Sequence, residues 1–125
     1  MKRNIVMTVA MAIIFIIVSV LPAAADGIEG NWCRDVNNTV GDIINITHSG
    51  DIFKVNLREG WNLPIYSEGV GSLQGNHLTA TLRSKANPNT IIHAPMTYSG
   101  NSLSYTSYNM DSSFRWKGDY YRCKK

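Results

Sequence analysis

Beyond Leu21 the chain has no apolar run long enough to span a membrane, so the part that follows the first 25 residues is expected to be soluble. The common catalytic signatures are missing too. There is no H-E-x-x-H, no G-x-S-x-G and no Gly-Lys-Ser/Thr phosphate loop. Histidine is scarce, and none of His48, His77 and His93 has a Cys, Asp or Glu at ligand spacing, so neither a metal nor a cofactor is expected. Glu59 and Glu68 bracket one loop and read as solvated residues rather than a catalytic pair. A non-catalytic protein follows from these absences as the expectation. Charge of one sign is also lacking. The net +3 includes Lys2 and Arg3; without them ten basic residues face nine acidic ones. The C-terminal stretch sets Arg115, Lys117, Arg122, Lys124 and Lys125 among Phe114, Trp116, Tyr120 and Tyr121, a mixture that nucleic-acid binders use. Its alternation instead fits a strand with one face in and one out, so no nucleic-acid partner is expected.

The start of the chain carries an address. Lys2 and Arg3 precede an apolar run from Ile5 to Leu21, Pro22 breaks it, and Ala23-Ala24-Ala25 supplies small residues. This is the pattern of a secretory signal peptide over residues 1–25, cut before Asp26. Residues 26–125 then make one domain, expected to be a monomer in the periplasm or outside the cell.

Three glycines, Gly50, Gly75 and Gly100, stand 25 residues apart. Each is followed by Asp or Asn, and such a pair makes a two-residue hairpin loop because Gly takes positive φ at no steric cost. A two-residue loop sets the register of its strands. The first hairpin should pair Ile46 with Val55 and Ile44 with Leu57. The second should pair Leu73 with Leu78 and Gly69 with Leu82, and the third Tyr98 with Leu103 and Met96 with Tyr105. Outgoing residues between them, such as Lys54, Asn56, Thr79 and Thr81, are polar, which is alternation with period two.

Three hairpins supply six strands. A seventh runs around Gly30–Arg34 and an eighth from Phe114 to Cys123. Eight antiparallel strands in sequential order are the number at which a sheet closes into a small barrel. The fold class is therefore all-β, an eight-stranded up-and-down barrel. Closure makes the first and last strands neighbours, where a Cys33–Cys123 disulfide would join them; two free buried thiols are the alternative. With both cysteines facing outward, Trp32 and Arg122 face inward together.

Gly30-Asn31-Trp32 on the first strand and Arg122 on the last resemble the signature shared by the calycin barrels, the lipocalins and avidin-like proteins. The resemblance implies a lipocalin-like barrel in which Trp32 and Arg122 close one end as structural residues. It implies no particular ligand, and the biotin-binding residues of avidins have no counterpart here.

Two features point to binding. The segment Glu59-Gly60-Trp61-Asn62-Leu63-Pro64-Ile65-Tyr66 reads as a loop bearing Trp61, Leu63, Ile65 and Tyr66, which must either tuck over the barrel mouth as a lid or stand exposed as a binding edge. Small residues Gly69, Gly71, Ala80 and Ala94 fall at inward positions and leave room, although Trp32, Tyr98, Tyr105 and Trp116 are large enough to fill it. Candidate ligand-binding residues are thus Trp61, Leu63, Ile65, Tyr66, Tyr98 and Tyr105. The expected function is small-molecule binding, of an apolar or amphipathic ligand at a barrel mouth. The alternative is a periplasmic enzyme inhibitor or envelope interaction module with a protein partner, a plan that some bacterial protease inhibitors resemble.

Overall fold

The computed structural model describes residues 27–124; the signal peptide read in residues 1–25 lies outside the described residues. The strands are β1 (Gly30–Val36), β2 (Thr39–Ser49), β3 (Ile52–Arg58), β4 (Ile65–Gln74), β5 (His77–Ser84), β6 (Ile91–Ser99), β7 (Ser102–Asn109) and β8 (Phe114–Arg122). Each pairs antiparallel with the next, and β1 pairs β8, so the eight close into an up-and-down barrel. That arrangement is compatible with a calycin-type plan.

The glycine hairpins form as their loops dictate. Gly50, Gly75 and Gly100 hold φ of 64°, 65° and 58°. The Asp or Asn that follows stays outside the left-handed region, so each loop has the type II′ pattern, with positive φ at its first position alone. Ile44 lies opposite Leu57, Gly69 opposite Leu82 and Met96 opposite Tyr105, the expected register in all three hairpins. A fourth tight turn, outside the glycine repeat, joins β1 to β2. There Asn37 and Asn38 both hold positive φ, 55° and 66°, the type I′ pattern that Asn tolerates best among non-glycine residues.

Topology gathers the three glycine turns, the start of β1 and the end of β8 at one end of the barrel, and that end is closed. The Arg122 guanidinium lies over the Trp32 ring, 4.3 Å from its centroid. It donates to the carbonyls of Gly27 (2.7 Å), Glu29 (3.1 Å) and Gly100 (3.3 Å). Trp32 Nε1 donates to the Ile28 carbonyl at 2.9 Å, which holds buried Ile28 under the barrel as a plug. Above it, Ile44, Ile46, Val55, Leu78, Leu82, Met96 and Leu103 fill the interior. The Cys33–Cys123 disulfide spans the seam outside this core, with Cα atoms 5.1 Å apart. The outer face presents exposed Lys54, Thr79, Thr81 and Arg83, the reverse of a barrel whose exterior faces lipid. No helix among the described residues is long and apolar enough to cross a membrane.

Two readings of the sequence change. Ile65 and Tyr66 belong to β4, not to the preceding loop, because Pro64 ends that loop and the ladder resumes with Ile65 opposite Arg58. Gly69 and Gly71 also leave no room: a Cβ at Gly69 would stand 1.8 Å from the Thr81 carbonyl oxygen, and one at Gly71 2.5 Å from that of Thr79. The β5 backbone already occupies the space, as it does where strands bend sharply against each other.

Candidate binding site

Strand β1 leaves the core at Trp32 and reaches Arg34 two residues on, at the same inward parity. Strand β2 arrives with Asp42 two residues before buried Ile44. The ladder sets Arg34 opposite Asp42, and the two form an ion pair with Nη2 and Nε 3.0 Å and 3.2 Å from Oδ2. This pair is partly buried at the open end of the barrel, where the other strands also change character. Leu82 is succeeded by Ser84, Tyr105 by Ser107, and Leu57 faces Ser67. Small polar residues thus replace large apolar ones at the inward positions, and the interior opens into a cavity of about 480 Å³. All eight strands contribute to its wall. The size and mixed lining suit a small-molecule site.

Backbone irregularities cluster there too. The ladder slips between Arg34 and Asp35, between Leu57 and Arg58, and between Ser107 and Tyr108. Arg34, Leu57 and Ser107 each line the cavity, so every slip directly follows a lining residue. Bulges at a barrel rim re-aim side chains and widen the mouth.

An aromatic wall comes from β7 and β8. Tyr105 and Trp116 have ring centroids 5.8 Å apart, Tyr105 and Tyr120 6.1 Å, and Trp116 and Tyr120 6.5 Å, all tilted or edge-on as ring quadrupoles prefer. The Trp116 ring lies across Gly118, where a Cβ would stand 2.2 Å from it, and Arg34 covers it with its guanidinium 4.8 Å from the centroid. Tyr105 and Tyr120 are each only 4% exposed. Burial pushes the Tyr105 phenol up to about 12, while Ser107 and Arg115 pull the other way. Burial also raises Tyr120 and Tyr66, and the Asp42 carboxylate raises both further. All three phenols therefore stay protonated at neutral pH and can donate. Ser67 donates to the Arg83 carbonyl, and the Ser107 hydroxyl stands between the Trp116 carbonyl, 3.5 Å away, and the Tyr105 phenol. Among the described residues nothing is hydrogen-bonded to the Tyr66 or Tyr120 hydroxyl.

Of the six ligand-binding residues expected from sequence, Tyr66 and Tyr105 line this cavity. Tyr98 packs, partly buried, against the core on the closed-end side. Leu63 is exposed in the loop, whose turn is held by Leu63 N donating to the Gly60 carbonyl and Arg58 to that of Leu63. Ile65 begins β4 and does not line the cavity. Trp61 lies on the outside of the barrel, with Asp35, Val40, Tyr121 and the Cys33 half of the disulfide around a second, smaller groove. Arg34, Asp42, Ser107, Arg115 and Tyr120 were not anticipated as lining residues. For Arg34, Asp42 and Ser107 the signal was inward parity counted outward from Trp32, Ile44 and Tyr105, and for Tyr120 the alternation of β8; Arg115 lies in the β8 bulge, off that parity, and had none.

Comparison with protein-family models, curated proteins and solved structures finds no match to the chain. Its likeness to calycins accordingly rests on topology and on the Trp32–Arg122 pair.

Proposed function

We propose that this chain is an exported, non-catalytic binding protein of lipocalin-like form, which holds a small amphipathic molecule in the open-end cavity. One observation carries the reading: a cavity walled by all eight strands stands over a filled base, with unpartnered phenol hydroxyls facing it. A ligand there meets aromatic surface at Tyr105 and Trp116, apolar surface at Leu57 and Ile92, and donors at Tyr66 and Tyr120. Export follows from the signal peptide read in sequence, and the disulfide suits an oxidising compartment.

The test is a thermal-shift screen of amphipathic small molecules against the protein and its Ser107→Phe variant, in which the new ring fills the cavity. Compounds that raise the melting temperature of the native protein only support the site, since binding to the folded state stabilises by mass action. Equal shifts in both would remove it.

The alternative, an interaction module for a protein partner, is favoured by a different observation. Exposed Trp61, Leu63, Met110 and Phe114 all lie at the open end or beside it, and Phe114 is 60% exposed. Such apolar side chains around a rim suit a macromolecular contact.

A further inference from the structure

Resting on the small-molecule reading, we infer that the cavity's ligand is an aromatic acid: a ring body that enters the barrel and one anionic group that stays at the mouth. The charges of the wall carry this. Three formally charged side chains line the cavity, Arg34, Asp42 and Arg115. Arg34 and Asp42 neutralise each other through two contacts to one carboxylate oxygen. Arg115 donates to the neutral Asn109 amide oxygen at 3.1 Å and forms no ion pair among the described residues. One positive charge is therefore left over, and it sits at the rim.

The Arg34–Asp42 pair offers an anion no net charge: Asp42 raises Tyr66 and Tyr120, and Arg34 lowers both in return. A ligand's acidic group placed beside that pair would lose water without gaining an unopposed positive charge. Arg115, whose positive charge lowers Tyr105, is the lining cation that no carboxylate offsets among the described residues. The inner wall asks for something else. The edge-on rings of Tyr105, Trp116 and Tyr120 leave an aromatic surface, and Tyr120, a buried residue whose hydroxyl has no partner among the described residues, offers a donor to a carbonyl or ether oxygen. The two demands together orient the ligand, ring inward and acid outward.

A matched pair of fluorescent probes separates body from charge: anilinonaphthalene sulfonate and the neutral N-phenylnaphthylamine, titrated into the full-length secreted protein at low salt. The sulfonate should bind about fivefold more tightly than the neutral probe, the scale of one partly exposed charge contact. Raising the salt should narrow that margin. Arg115→Gln, a change at an exposed rim position, should abolish the margin by weakening the sulfonate far more than the neutral probe. Ser107→Phe should weaken both. If the neutral probe binds as well as the sulfonate, or if Arg115→Gln leaves the margin intact, the acid is wrong and the cavity reading survives. If neither probe binds, or Ser107→Phe leaves both affinities unaltered, the cavity reading itself falls.

Discussion

The buried phenols of the open end tie binding chemistry to alkaline stability. Folding raises Tyr105, Tyr120 and Tyr66 above the ordinary tyrosine value of 10.0. Below pH 10 both the folded and the unfolded chain hold these protons, and the linkage is silent. Above it the unfolded chain releases protons that the folded chain retains. The unfolded state then binds fewer protons, so stability present below pH 10 is lost as the pH rises through about 12, the folded value of Tyr105. Phenolate absorbance of the folded protein should lag that of the urea-unfolded chain across this window, and the urea midpoint should fall with it. Coincident titration curves would show that the phenols are solvated. A ligand that accepts a hydrogen bond from Tyr120 should widen the lag.

Among the elements, the loop from Glu59 to Pro64 had two readings, a lid tucked over the mouth or an exposed edge, and it stands exposed: Trp61 lies beside the outer groove and is 36% exposed, and Leu63 is 48% exposed. Trp61→Ala should therefore leave probe binding in the cavity unchanged and cost about 1 kcal/mol in a urea titration, as surface truncations do. A loss of about 3–5 kcal/mol, the cost of emptying a core site, would mean that the ring is structural. The contrast with the hairpins shows what a sequence discloses. At Gly50, Gly75 and Gly100 a two-residue loop sets the strand register locally, and pairs such as Ile44–Leu57 could be read outward from it. Trp32 and Arg122 were readable because closure of the barrel leaves them one meeting place. The cavity was harder to see because it depends on three register slips, after Arg34, Leu57 and Ser107, which no local residue signal announces. Each slip breaks the parity count near the rim, where Ile65, Tyr66 and Trp116 needed to be placed. The room expected at Gly69 and Gly71 was misjudged for another reason: a missing side chain looks like space until a neighbouring backbone is known to fill it.

At the scale of the whole molecule, closure rests on the β1–β8 seam. It has two paired positions, Trp32–Arg122 and Cys33–Tyr121, where the other seams have six or more. Short pairing is supplemented by the disulfide, by Arg122 and by the hydrogen bond from the Tyr121 hydroxyl to Asp35. The disulfide joins residues 90 apart, and a cross-link of that span contributes about 4.6 kcal/mol in the chain-entropy account. The double variant Cys33→Ala/Cys123→Ala should lose a comparable amount in urea titration; a loss under about 1 kcal/mol would mean that Arg122 and its carbonyl partners close the seam unaided. An intact seam mends itself within one chain, at a rate indifferent to how many copies surround it. Once parted, β1 and β8 each present an unpaired edge, and a neighbouring copy can take the place of the chain's own strand. Loss of the disulfide thus changes the kinetic order of failure from first to second, so that a reduced sample would deteriorate faster the more concentrated it is.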